Sequence, residues 1–155
     1  MDYPKYFNPK NSLKLFGLED NFNFLSSIYL KQKLPKVLML SGLKGIGKST
    51  LINHLFFSIF DEENYNRSKY SLSDASIFYK KFRDGIFQNV LYVKGSYFKS
   101  LKIEDIRNLK SVLQQSSMID SERFIVLDDI ELFNVNSLNA LLKIIEEPSL
   151  SLIHI

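Results

Sequence analysis

The stretch Ser41-Gly42-Leu43-Lys44-Gly45-Ile46-Gly47-Lys48-Ser49-Thr50 constrains this chain more than any other. It fits G-x-x-x-x-G-K-[ST], the phosphate-binding loop pattern. The apolar run Val37-Leu38-Met39-Leu40 precedes it, and apolar periodicity predicts a helix over Lys48–Phe60 after it. Glycine at 42, 45 and 47 opens backbone angles closed to other residues, and lets N–H groups surround phosphate oxygens. The whole span Gly42–Thr50, Lys44 and Ile46 included, is expected to line the phosphates. A helix opening at Lys48 aims its free N–H groups and positive dipole end at the same anion. Lys48 is expected to reach the outer phosphates. The Ser49 hydroxyl is expected to hold Mg²⁺, which prefers oxygen ligands, and Thr50 adds a hydroxyl near the inner phosphate. The bland alternative is a glycine-rich turn that carries Gly-Lys-Ser by coincidence; the flanking elements oppose it. The loop does not by itself imply hydrolysis.

At 155 residues the chain is long enough for one domain with a real core. Its 45% hydrophobic and 24% charged residues fit a soluble globular protein. A net charge of +3 is compatible with nucleic acid nearby, but on charge alone a solvated lysine-rich surface is the better reading. There are no cysteines, which excludes disulfides, cysteine catalysis and thiolate metal sites, and no zinc is expected. The N-terminal residues have no apolar core of a signal peptide. No run approaches the roughly 18 apolar residues of a membrane span. The default location is cytoplasmic.

Residues 1–12 read as irregular, and 13–155 as one nucleotide-binding domain. Phe22, Leu25, Ile28 and Tyr29 predict a helix over Asn21–Lys31. Val37–Leu40 reads as a strand buried on both faces. In the helix after the loop, Leu51, Ile52, Leu55, Phe56 and Ile59 make the buried stripe. Asp61–Lys69 reads as a loop. Ser73–Phe82 reads as a helix capped by Ser73, with Ile77, Phe78 and Phe82 inward. Further strands are expected at Asn89–Val93, Phe124–Leu127 and from Leu152, with helices over Lys102–Gln115 and Asn136–Ile145. Alternating strands and helices imply an α/β fold, a parallel sheet with helices on both faces. The last strand lacks the elements expected to cover it, so the sheet reads as cut short at its fourth strand.

Phe124-Ile125-Val126-Leu127 ends in Asp128-Asp129. In a doubly wound sheet the carboxyl ends of the strands are where ligands bind. Asp128 is therefore expected to orient Mg²⁺, and Asp129 to act on an attacking water. The alternative is that the pair merely ends a strand and caps the next turn.

Asn139-Ala140-Leu141-Leu142-Lys143-Ile144-Ile145-Glu146-Glu147-Pro148, shortly after that strand, resembles the signature of bacterial sliding-clamp loader ATPases, of the AAA+ class of P-loop proteins. Leu15-Phe16-Gly17 resembles the family's segment beside the adenine pocket. Leu34–Gly42 looks like its first strand, and Ile103–Leu109 is similar to the helix leading into its third. The resemblance implies ATP with Mg²⁺ as ligand. It also implies a multi-subunit machine that uses ATP binding to open a ring-shaped clamp and place it on primed DNA. The partners would be the other loader subunits, the clamp and the DNA. Two subunit types of DNA polymerase III share this core. The gamma/tau motor type usually carries zinc-binding cysteines and an Asp-Glu pair; the absence of cysteines and the pair Asp128-Asp129 favour the delta-prime type. That type acts mainly as a rigid partner and supplies an arginine to a neighbour's ATP site. Its arginine, sensor and lid residues would fall after Ile155.

The motor subunit stays open as an alternative, as do a small P-loop kinase and a scaffold with a vestigial loop. Lys99, Lys102, Arg107 and Lys110, or Lys80, Lys81 and Arg83, could touch a DNA backbone, but the better reading of both groups is a solvated helix face. His54 is expected to pack or lie at the surface rather than catalyse.

Overall fold

The elements of the computed structural model are, in chain order, α1 (Glu19–Leu30), β1 (Val37–Met39), α2 (Lys48–Phe60), β2 (Tyr65–Asn66), β3 (Ser71–Leu72), α3 (Ile77–Arg83), β4 (Val90–Lys94), β5 (Arg123–Asp128) and β6 (Leu150–His154). The described residues are 13–87, 89–95, 122–136, 138–139 and 150–154. They fall into two units: the residues up to Leu34 with Ser41–Phe87, and Pro35–Leu40 with the residues from Gln88 onward. The expected helix over Lys102–Gln115 and most of the one over Asn136–Ile145 lie outside the described residues, as does the irregular segment 1–12.

In the first unit α2 has the predicted bounds. Its burial is wider than the predicted stripe. Every residue from Leu51 to Ser58 is buried, including Asn53, His54 and Ser58, while Ile59 is only half-buried. An all-round buried helix needs partners for its polar side chains. Ser58 Oγ donates to the Leu55 carbonyl at 2.8 Å. His54 is fully buried, with Nδ1 3.0 Å from the Tyr65 hydroxyl and its ring edge-on to Phe57.

Tyr65 belongs to an antiparallel hairpin, β2 with β3, in the stretch read from sequence as a loop. Phe22 of α1 packs against Tyr65 and Tyr70, and Arg67 Nη1 donates to Ser26 Oγ of α1 at 2.9 Å. The segment before α1 pins itself to the same hairpin: Leu15 N–H donates to the Tyr70 carbonyl and Leu72 N–H to the Leu13 carbonyl. Burial pushes the Tyr65 hydroxyl pKa well above the ordinary tyrosine value, against a smaller opposing pull from the Arg67 charge.

The helix expected over Ser73–Phe82 starts later, and Ser76 caps it instead of Ser73. Ser76 Oγ accepts from Tyr79 N–H and donates to the Asp61 carboxylate, so two contacts select this serine. With the start at Ile77, that side chain faces outward at 71% exposure, against the expectation that it points inward. Phe82 is buried and Phe78 half-buried, as expected of inward positions. Phe57 of α2 meets Phe78, Tyr79 and Phe82 of α3 edge-on, with centroids 5.7 to 6.2 Å apart. Phe87 closes the cluster at 4.8 Å from both Phe60 and Phe78.

The second unit is a four-stranded sheet in the order β1-β6-β5-β4, all parallel. Strands β4, β5 and β6 fall where expected within a residue or two. Phe124, Ile125, Val126 and Leu127 of β5 are each at most 1% exposed, as a strand buried on both faces requires. Strand β1 does not behave that way: Val37 is 53% and Met39 71% exposed. Among the described residues it pairs on one side only, with β6, so its apolar run marks an edge strand.

Truncating Phe57→Ala removes the ring on which α2 and α3 meet; large aromatic-to-alanine changes in cores cost about 3–5 kcal/mol. Urea unfolding of the variant is expected to show a loss of that size. Alkaline pH gives a second measurement. Above the ordinary tyrosine pKa near 10 the unfolded chain releases the Tyr65 proton while the folded chain keeps it, so stability falls as pH rises. Tyr65→Phe is expected to be less stable at neutral pH, having lost the His54 contact. Its urea midpoint is expected to fall less steeply between about pH 10 and 11.

Candidate functional site

The sequence from Ser41 to Thr50 folds as a loop running into α2. Ser41 to Ile46 are exposed, and Gly47 to Thr50 half-buried. The loop closes on itself through Ile46 N–H to the Leu43 carbonyl at 3.3 Å. Lys48 then turns back over it: Nζ donates to the carbonyls of Gly42 at 3.0 Å and Leu43 at 3.2 Å. Gly47 is the N-cap of α2, with φ of 99°. A side chain is disfavoured there on two counts, the left-handed angle and the Leu18 Cδ1 atom, 3.1 Å from where a Cβ would sit. Leu18 itself is the residue just before α1, so the start of that helix buttresses the loop.

What this arrangement offers chemically is a set of donors. The Gly47 carbonyl receives the Leu51 N–H at 2.8 Å, which starts the helix. Among the described residues, nothing accepts a hydrogen bond from the backbone N–H of Gly45, Gly47, Lys48, Ser49 or Thr50. Free N–H groups at the end of a helix, with an ammonium beside them, suit an anion rich in oxygen. The residues present therefore fit a phosphate group. Lys48 Nζ, held by two neutral carbonyls, keeps a third N–H donor for an anion.

The acidic pair lies in the second unit. Asp128 is the last residue of β5 and Asp129 follows in the left-handed region, φ 53° and ψ 52°. Both are half-buried. The Asp129 carbonyl accepts the Leu132 N–H at 2.9 Å, opening a 3₁₀ turn over Ile130–Leu132. Aspartate, with a short polar side chain, tolerates the left-handed region better than longer residues. The turn thus gives a conformational reason for the second aspartate. No group of three or more His, Cys, Asp or Glu among the described residues could hold a metal by itself.

Other expected contacts are less informative. Lys80 and Lys81 are exposed on α3, while Arg83 is ion-paired with Asp84 at 3.0 Å, and that carboxylate raises its pKa further. Lys99, Lys102, Arg107 and Lys110 lie outside the described residues. Of the Asn139–Pro148 signature only Asn139 is described, in a helical stretch with residues 135, 136 and 138. Leu18 was not legible as a site residue, because nothing local marks a leucine that packs on a glycine far along the chain.

A parallel α/β sheet with a glycine loop opening a helix and an acid-terminated buried strand defines an α/β protein of P-loop type. The family described as "DNA polymerase III, delta subunit" matches residues 17–155. The chain belongs to that family. It is 28% identical over 110 residues to DNA polymerase III subunit gamma of Buchnera aphidicola subsp. Acyrthosiphon pisum, covering 71% of this chain and 29% of that protein. It is 35% identical over 51 residues to DNA polymerase III subunit delta' of Pseudomonas aeruginosa, covering 33% of this chain and 16% of that protein. The matched regions are thus less than a third of either relative's length. No helix among the described residues is long and apolar enough to cross a membrane.

Gly47→Ala forces a Cβ into the left-handed angle and against Leu18. It is expected to lower the chain's stability by about 1–2 kcal/mol, the usual cost of that region for a side chain. Urea unfolding beside wild type measures it.

Proposed function

We propose that this chain is the ATP-binding part of a subunit of the bacterial sliding-clamp loader, of the delta-prime type, with residues 13–155 as its AAA+ nucleotide-binding domain. Gly42–Thr50, Lys44 and Ile46 included, line the phosphates. Ser49 and Asp128 hold and orient Mg²⁺, and Lys48 reaches the outer phosphates. Asp129 acts on the attacking water if the site hydrolyses. Its partners are other loader subunits and, through the assembly, the clamp and primed DNA in the cytoplasm.

The observation that carries this reading is the set of loop N–H groups without acceptors beside the Lys48 ammonium, on a chain of this family. The relatives' names, subunits gamma and delta' of DNA polymerase III, support the assembly. The lack of cysteines and the Asp128-Asp129 pair support the delta-prime type. The longer match to a gamma subunit supports a second reading, the motor ATPase of the same loader. Family membership speaks against the small kinase.

Titration with a fluorescent ATP analogue and Mg²⁺, comparing the chain with Lys48→Ala, tests the proposal. Wild type is expected to bind in the micromolar range, and the variant at least about tenfold more weakly, a loss of about 1.4 kcal/mol. A folded wild-type chain that does not bind would overturn both ATP-binding readings and leave a scaffold. Turnover on assembly with partner subunits would favour the motor reading.

A further inference from the structure

Gly95 is the residue after β4, and it is buried. Strand β4 pairs in parallel with β5, and its last residue, Lys94, is in register with Asp128. One step further along, Gly95 lies beside Asp129. A Cβ on Gly95 would stand 2.3 Å from the Asp129 carbonyl oxygen, and 3.0 Å from both Leu132 Cβ and Phe133 Cδ2. The backbone of Gly95 is not in the left-handed region, so no dihedral angle calls for glycine here. What calls for it is room for another stretch of backbone.

The carbonyl in question fixes the acidic turn. It accepts the Leu132 N–H, and it projects from a residue held at φ 53°. Phe133, buried at the far end of the turn, packs over the same glycine and donates its N–H to the Ile130 carbonyl. The Asp129–Phe133 turn is therefore seated against the bare Cα of Gly95. The turn has little freedom to retreat, because its other end is anchored by a buried phenylalanine.

We propose that Gly95 is a positioning residue for Asp128: by admitting the Asp129 carbonyl it sets the direction in which β5 ends, and with it the aim of the preceding carboxylate. The proposal rests on the reading of Asp128 as the residue that orients Mg²⁺. Gly95 itself is assigned no contact with nucleotide or cation. Its effect is on how the cation changes nucleotide affinity, since the phosphate loop belongs to the other unit and keeps its own donors.

The test titrates the full chain with a fluorescent ATP analogue, in Mg²⁺ and again in excess EDTA, for wild type, Asp128→Asn, Gly95→Ala and the double variant Gly95→Ala/Asp129→Gly. Wild type is expected to bind roughly tenfold more tightly with Mg²⁺, and Asp128→Asn to lose most of that gain. Gly95→Ala is expected to keep its EDTA affinity within about twofold and also to lose most of the Mg²⁺ gain. Glycine at 129 widens the backbone angles open to the turn, so the double variant is expected to recover part of it. A change in stability alone would not separate the Mg²⁺ and EDTA curves. If Asp128→Asn keeps the full gain, or wild type shows none, the reading of Asp128 fails and Gly95 with it. If Asp128→Asn loses the gain and Gly95→Ala keeps it, only the role of Gly95 is overturned. Should Gly95→Ala prove too unstable to bind in EDTA, the double variant decides. Recovery of binding together with a Mg²⁺ gain supports the proposal, and absence of that gain overturns it.

Discussion

Burying α2 on every side obliges its neighbours to accommodate polar groups that a one-sided helix would leave to water. His54 draws in the hydroxyl of Tyr65, which fixes the hairpin β2–β3. The hairpin in turn holds the segment before α1 by backbone hydrogen bonds, and α1 by the Arg67–Ser26 contact and the rings around Phe22. That same segment carries Leu18 to Gly47, where α2 begins. The chain of contacts thus leaves from the middle of the helix and returns at its N-terminus. A helix seated in this way presents its first-turn N–H groups with little freedom to drift, and donors that need not reorganise bind an anion more strongly.

The second unit solves a similar problem with backbone in place of side chains. Four apolar residues of β5 are buried on both faces, so the strand cannot slide or rotate, and its polar end has to form where the apolar run stops. The turn that follows is shaped by one left-handed aspartate and one glycine just past the end of the adjacent strand. Both restrict where the Asp128 carboxylate can point.

What could be read from residues alone depended on how local its cause is. The bounds of α2 follow from the glycine loop at one end and apolar spacing throughout, and both were legible. So was β5, an apolar run closed by two acids. The start of α3 was not: Ser73 and Ser76 are both reasonable caps, and the choice falls to Asp61, fifteen positions before Ser76. The hairpin was hidden because Asn66-Arg67-Ser68-Lys69 looks like any polar loop; its pairing is imposed by Tyr65 turning inward. An apolar run such as Val37–Met39 does not say whether its strand is central or at an edge. At the site, motif residues were legible by pattern, whereas Leu18 and Gly95 act by proximity. A glycine immediately after a strand does signal a close approach, but not of what.

Asp61 ends α2 and bonds to the residue that starts α3, and it also accepts from Asn64 Nδ2. The stretch between, 62–75, is therefore an insert whose two ends are tied together. Because closure entropy grows only by about 0.6 kcal/mol for each doubling of loop length, residues can be added to or lost from the parts of that stretch outside the hairpin with little entropic penalty. The hairpin itself is tied by Tyr65, Arg67, Tyr70 and Leu72 to the helices and segment it touches.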